Sequence, residues 1–344
     1  MKRLIAFILV LVLVLCSCSS KKSEIVFAYG EAEFNENLYL YELAVMKTQL
    51  LQDYGVKTDV PEIWVEPIGE GVTYDDYAYA QCQMNIATVL FFADYALKNG
   101  GELTKEDEKK IDEAIDDIVE QLGSKAAVNK YLEKFTIDLK MYREYLETYA
   151  LYNKGVGLAY GEGGKYQISL EEMQDYYNKN FVTVKHIAIG TEYAGSDEEG
   201  NLIYYTEEEK KAKRELIDSI TKRLENGEDF DSLYTLSEDK SFETYPNGYT
   251  ITKGVLDSTM KGYENVALSL MEGEWDTFEL EGTSVYIIKR VPLLEGDFQN
   301  CANAIYSALL QLDMAERVVE NYDSLTINQS IVDNYNMASL PILN

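Results

Sequence analysis

The chain has 344 residues, 46% of them hydrophobic, and carries 60 acidic against 31 basic side chains for a formal net charge of −29. That balance excludes sequence-independent nucleic-acid binding, which needs basic surface to displace counterions, and an electrostatic hold on anionic lipid. A single histidine, His186, and no Cys-x-x-Cys pair remove nearly every zinc site of histidine or thiolate type, so neither a metal nor a cofactor is expected.

The first element is a leader. Lys2 and Arg3 precede an unbroken apolar run over residues 4–16, followed by Ser17-Cys18-Ser19-Ser20. A bilayer span needs roughly 20 apolar residues, so the layout is that of a secretory signal. Leu15-Cys16-Ser17-Cys18 resembles the bacterial lipobox. The resemblance implies a signal peptide over 1–17, lipid attachment at Cys18, and export to the outer face of a bacterial cell membrane; the competing reading is a secretory signal cleaved without lipid. Residues 18–30 then read as a tether. The remainder is long enough for two modules. It holds only Cys82 and Cys301, whose pairing the sequence leaves open in an oxidising compartment.

Residues 31–179 read as a helical module. Apolar residues at helical spacing predict a helix over 35–54, and a second, rich in Tyr and Ala, is predicted over 74–98. Thr104 with Asp107 forms a capping signal for a third, with Ile111, Ile115, Ile118 and Leu122 on one face and Gly123 as its stop. A short helix from Ser124 and a longer one capped by Thr136 and running through Tyr152 complete the set. Gly155, Gly157, Gly161, Gly163 and Gly164 predict a linker, and Ser169 with Glu172 caps one further short helix.

From residue 180 the pattern changes. Residues 181–189 alternate and are β-branched, which predicts a strand. A polar loop follows, then a helix capped by Thr206 and Glu209, a strand near 249–252, a helix near 258–270, and strands at 277–280 and 284–291. Residues 293–344 return to a helix with an apolar stripe through Ile305, Leu309 and Leu312, predicted to pack on the first helical module. The predicted fold class is α+β: an all-helical domain split in sequence, with an inserted domain over 180–292 built on a small antiparallel sheet flanked by helices.

The inserted unit resembles the parvulin family of peptidyl-prolyl isomerases. The landmarks are Val184-Lys185-His186-Ile187-Ala188-Ile189, Asn226-Gly227-Glu228-Asp229-Phe230, Ser237-Glu238-Asp239, Asn247-Gly248, Met271-Glu272-Gly273-Glu274, and Val285-Tyr286-Ile287-Ile288-Lys289-Arg290, in the family's order and spacing. With its leader and split helical module, the whole chain is similar to extracytoplasmic foldase lipoproteins, the PrsA-like relatives of the SurA chaperone. The resemblance implies that His186, Asp239 and Tyr286 form the polar part of a catalytic site and that Met260 and Leu268 line an apolar pocket for the proline ring. Tyr286 stands where the family carries its second histidine.

Two functions follow from that resemblance. One is a membrane-anchored foldase that binds unfolded or partly folded exported polypeptides and isomerises X-Pro bonds, a step that takes tens to hundreds of seconds uncatalysed. The other is a non-catalytic holdase with a degenerate parvulin domain, favoured by Tyr286. The many tyrosines of the helical module, Tyr142, Tyr145 and Tyr149 among them, read either as client contacts or as packing residues. A hydrolase lacks a Gly-x-Ser-x-Gly elbow, and a solute-binding lipoprotein needs two α/β lobes. A homodimer stays open.

Overall fold

The structure, a computed structural model, describes residues 23–53, 59–69, 71–196 and 199–343. The leader and Cys18 lie outside the described residues. The chain divides into two compact units, Met1–Gln167 with Met314–Asn344, and Ile168–Asp313. The divisions therefore fall at 167/168 and 313/314, where sequence patterning put them at 179/180 and 292/293.

The first unit is not all-helical. Strands β1 (Ile25–Tyr29) and β2 (Ala32–Asn35) form a hairpin, and Thr326–Ile327 pairs with the other edge of β1. Residues 25–29 are thus a central strand and not a tether, because Val26 and Phe27 are buried and the strand is hydrogen-bonded on both sides. Among the described residues, five helices of eight or more residues follow: α1 (Glu36–Asp53), α2 (Tyr74–Lys98), α3 (Lys105–Leu122), α4 (Lys125–Leu132) and α5 (Leu139–Tyr160), with a single helical turn at Pro61–Trp64 between the first two. Phe27, Phe34, Tyr39, Leu43, Ile86, Leu90, Val128 and Leu132 form their common core.

Capping fixes where these helices begin. Thr104 and Asp107 make the reciprocal box at the start of α3, and Gly123 ends it in the left-handed region at φ 85°. Thr73 with Asp76 does the same for α2. Thr136 does not cap α5: it sits at φ 62° behind a 3-10 turn, and the Asp138 side chain accepts from the Met141 amide instead.

The glycines expected to break the chain do not break α5, which runs through Gly155 and Gly157. A Cβ at Gly155 would overlap the main-chain carbonyl of Phe92 in α2, so glycine there permits close helix packing. Between α1, α2 and α5 the buried Glu42 carboxylate accepts hydrogen bonds from Tyr145 (2.7 Å), Tyr149 (3.0 Å) and Asn85 (2.5 Å). Cys82 and Cys301 are both free, and Cys82 is fully buried.

The second unit opens with α6 (Leu170–Asn180), capped by the Ser169–Glu172 box, and passes directly into β3 (Phe181–Gly190). The polar loop after β3 contains a two-stranded ribbon, Tyr193–Ser196 with Leu202–Tyr204. Then come α7 (Glu207–Glu225), α8 (Phe230–Tyr234), β4 (Tyr249–Thr252), α9 (Lys261–Ser269), β5 (Trp275–Leu280), β6 (Ser284–Val291) and α10 (Asp297–Glu320). The sheet order is β4-β3-β6-β5, antiparallel throughout.

β3 is buried on both faces because side chains alternate across the sheet and each face is covered. Ile187 and Ile189 pack with Ile220, Leu224, Phe230 and Leu233 of α7 and α8. Val182 and Val184 pack with Tyr263, Ala267 and Leu270 on the other side. The first part of α10 finds its packing partners within the second unit. Its Phe298 and Ile305 join Tyr177 and Phe181, whose aromatic rings offer the partner its stripe needs, while Leu312 is left exposed.

Candidate active site around the sole histidine

Register places the site. β4 pairs with only the first half of β3, ending at Val184↔Tyr249, so the second half of β3 has a free edge on that side. The segment 237–239 takes it: the Glu238 amide donates to the Ala188 carbonyl (2.8 Å), and the Ala188 amide donates to Ser237 Oγ (2.9 Å). This delivers Asp239 to His186, whose Nε2 is hydrogen-bonded to Asp239 Oδ2. On the far side of the ring, His186 Nδ1 meets the hydroxyls of Tyr249 (2.6 Å) and Tyr263 (2.9 Å), which also bond to one another.

Tyr249 arrives there through Gly248. That residue lies at φ 89°, and a Cβ on it would stand 2.6 Å from the Val184 carbonyl oxygen, so the turn before β4 presses main chain against β3. Tyr263 comes from α9 and is 1% exposed. Tyr286 on β6 lies opposite Ala188, two pairs along from Ile288 and His186. Its ring meets the edge of His186 at 5.3 Å and of Tyr263 at 5.4 Å, and it stacks on Phe278 at 6.2 Å.

The electrostatics assign protons. Burial pushes the Asp239 carboxyl up, but hydrogen bonds from His186, Ser237 Oγ (2.6 Å) and the Ser241 amide (3.0 Å) outweigh it and hold the group well below the usual carboxylate range. An ionised carboxylate only accepts, so His186 Nε2 carries a proton, and in the neutral ring Nδ1 is left to accept from a tyrosine. Burial, with the Asp239 charge adding to it, pushes the Tyr249, Tyr263 and Tyr286 phenols up, so all three stay protonated donors.

Of the residues marked from sequence, His186 and Asp239 are in direct contact, and Tyr286 packs on His186. Met260 and Leu268 are half-buried in the cluster that contains Tyr263, Phe278 and Tyr286. Cys18 lies outside the described residues. Sequence reading missed Tyr249, Tyr263 and Phe278. The one available signal for Tyr249 was its place just after the Asn247-Gly248 turn; nothing in spacing singles out Tyr263. Chemically, the arrangement is a rigid set of neutral donors beside an apolar floor. The Tyr286 hydroxyl makes no hydrogen bond among the described residues.

No protein-family model matches the chain, and no curated protein sequence matches it. Among solved structures it is similar to peptidylprolyl isomerase PrsA from Bacillus cereus, at 15% identity over 73% of this chain and 88% of that one, with a TM-score of 0.31. It is also similar to PrsA from Bacillus subtilis (16% identity, 80% and 93% covered, TM-score 0.24) and to foldase protein PrsA from Streptococcus pneumoniae (15%, 78% and 96%, 0.24).

Proposed function

We propose that the chain is an extracytoplasmic foldase whose sheet unit isomerises X-Pro bonds and whose helical unit holds unfolded exported polypeptides. The observation that carries the reading is the juxtaposition of a phenol, Tyr286, whose hydroxyl makes no hydrogen bond among the described residues, with the apolar side chains of Met260, Leu268 and Phe278, braced by the His186–Asp239 pair. Prolyl isomerisation requires no nucleophile. Its barrier of roughly 18–20 kcal/mol is amide resonance, which is lost when the bond twists. An apolar floor strips the water that stabilises the planar, charge-separated amide, and a hydroxyl donates to the imide nitrogen as its lone pair localises. In this reading Tyr286 touches the substrate, and His186 and Asp239 are positioning residues that fix the wall behind it.

The helical unit supplies an open cavity of about 490 Å³ in which Ile111, Ala114, Leu146 and Tyr149 stand beside Asp107, Lys110, Asn153 and Lys154, a mixed lining that suits the apolar side chains and polar main chain of an unfolded client. Among the described residues no helix is long and apolar enough to cross a membrane. Lipid on Cys18 is the proposed membrane contact, and tethering there raises the local concentration of the chain around clients emerging from the same membrane.

The second reading, a holdase without catalysis, is favoured by the same histidine: it is 8% exposed and both of its nitrogens are engaged by side chains. A proline-limited refolding assay on the soluble chain beginning after Cys18 separates the two. Activity in the parent that falls in Tyr286→Phe supports isomerisation through the hydroxyl. A parent with no activity, alongside retained suppression of client aggregation, leaves the holdase.

A further inference from the structure

The helical unit already grips an extended peptide, and it is part of the chain itself. After the 3-10 turn Met337–Ser339, the main chain extends through Leu340 (φ −82°, ψ 146°) into Pro341-Ile342-Leu343. These last described residues lie half-buried, with Leu340, Ile342 and Leu343 packed on the core formed by α1 and its neighbours. The Leu340 amide closes the preceding turn on the Met337 carbonyl, and among the described residues two side chains of α1 hydrogen-bond the stretch, both at its main-chain atoms. Lys47 Nζ donates to the Leu340 carbonyl at 2.6 Å, and the Leu343 amide donates to Thr48 Oγ1 at 2.9 Å.

The receiving side is built for the purpose. Lys47 is completely buried, yet its charge is met by Asp59 at 2.6 Å, and Asp59 is itself fixed by the Trp64 indole N–H at 2.9 Å. The Lys47 ammonium lies 5.5 Å from the Trp64 ring centroid. A neutralised, immobile ammonium still has N–H to offer, and it offers it to a peptide carbonyl. Thr48 donates to Ala44 in its own helix, which leaves its oxygen oriented to accept an incoming amide. Nothing in these contacts specifies which side chains the peptide carries beyond their being apolar. The proline at 341 has no N–H to leave unsatisfied and favours the extended backbone.

We infer that the groove formed by Lys47, Thr48 and the Asp59–Trp64 segment is a peptide-binding site for extended, apolar, X-Pro-containing segments of client polypeptides, occupied in this state by residues 340–343 as an internal surrogate. The inference rests on the holding role proposed above for the helical unit and supplies it with a location and a ligand class. Main-chain recognition with loosely specified apolar contacts is what a receptor for unfolded chains of unrelated sequence requires. Self-occupation keeps the apolar groove covered when no client is present and makes client binding a displacement.

The test uses the soluble chain beginning after Cys18, a second form of it ending at Ser339, and a fluorescent nonapeptide with the sequence of residues 336–344. An attached segment acts at an effective concentration near the millimolar range, so a free peptide with affinity on the order of 100 μM should bind the shortened chain about tenfold more tightly than the parent. A permanently unfolded client, reduced and carboxymethylated lactalbumin, should displace it. Equal binding to both chains, no binding to a shortened chain that melts cooperatively, or failure of the client to displace the peptide each overturns the inference. If the shortened chain does not fold, Ile342→Asp with Leu343→Asp in the complete chain replaces it: the same gain in peptide binding is expected, and no gain overturns the inference. Aggregation suppression by the same proteins reports the holding role separately. Suppression without displacement removes this groove and leaves that role standing, and loss of suppression in a folded chain removes the role itself.

Discussion

Replacing Asp239 by asparagine changes one atom and should reverse the proton arrangement of the chain's sole histidine. In the parent the carboxylate accepts from His186 Nε2, from Ser237 Oγ and from the Ser241 amide. Asparagine can keep the last two through its carbonyl oxygen, but its amide nitrogen then faces the ring and donates to Nε2. The ring proton moves to Nδ1, which turns from accepting a tyrosine hydroxyl to donating to one. Hydrogen bonds to charged groups contribute about 1.5–3 kcal/mol each. The Asp239 side chain is 36% exposed, so solvent screening reduces that, and a loss of about 1–2 kcal/mol at pH 7 is expected from urea unfolding midpoints. Folding lowers this carboxyl, so its contribution is present above the ordinary aspartate range of about 3.9 and is lost as pH falls through the lowered folded value; the difference between parent and variant should shrink in acid. Nitrogen-15 spectra of the single imidazole at alkaline pH read the tautomer with no assignment problem. An unchanged tautomer together with an unchanged midpoint would falsify the claim that Asp239 sets the ring.

Two further outcomes follow from the helical unit. Gly155→Ala places a Cβ against the immobile Phe92 carbonyl and should destabilise by about 1–3 kcal/mol despite alanine's better helix propensity, whereas Gly157→Ala, with open space around it, should gain up to about 1 kcal/mol; matched thermal melts of the two variants decide it, and similar shifts would remove the close-packing argument. Burial pushes the Glu42 carboxyl up, against hydrogen bonds from Tyr145, Tyr149 and Asn85 that pull it down. Its raised folded value makes the native state lose stability as pH rises from the ordinary glutamate range through that value, so Glu42→Gln should gain on the parent as pH rises above the ordinary glutamate range, and a pH-independent difference in urea midpoints counts against it.

Local signals were legible and long-range ones were not. The boxes at Thr104–Asp107, Ser169–Glu172 and Thr206–Glu209 were readable because both partners sit three residues apart. Thr136 misled because Asp138, two residues on, competes for the same task and leaves threonine in the left-handed turn. The strand at Ile25–Tyr29 was hidden because one of its partners, Thr326–Ile327, lies at the other end of the sequence. Gly155 read as a breaker because its reason for being glycine is a carbonyl on another helix. The site divides in the same way. His186 and Asp239 were found through ordered landmarks, but Tyr249 and Tyr263 meet the histidine from 63 and 77 residues away, distances that carry no pattern.

Those two tyrosines change what kind of catalyst the site can be. A histidine facing a second histidine leaves a ring nitrogen whose proton can shift between partners. Here one nitrogen is fixed by an ionised carboxylate and the other by the phenols of the half-buried Tyr249 and the buried Tyr263, so the imidazole is a rigid spacer between Asp239 and the aromatic cluster. In the proposed isomerase, polar assistance to a twisting amide would fall to Tyr286, a neutral hydroxyl, and the rest of the barrier lowering would come from the apolar floor through desolvation. That division is measurable within one residue. Tyr286→Phe retains the floor and removes the donor, so if the parent isomerises, the activity the variant keeps is the share owed to desolvation and the activity it loses is the share owed to the hydrogen bond; a parent without activity refutes the division.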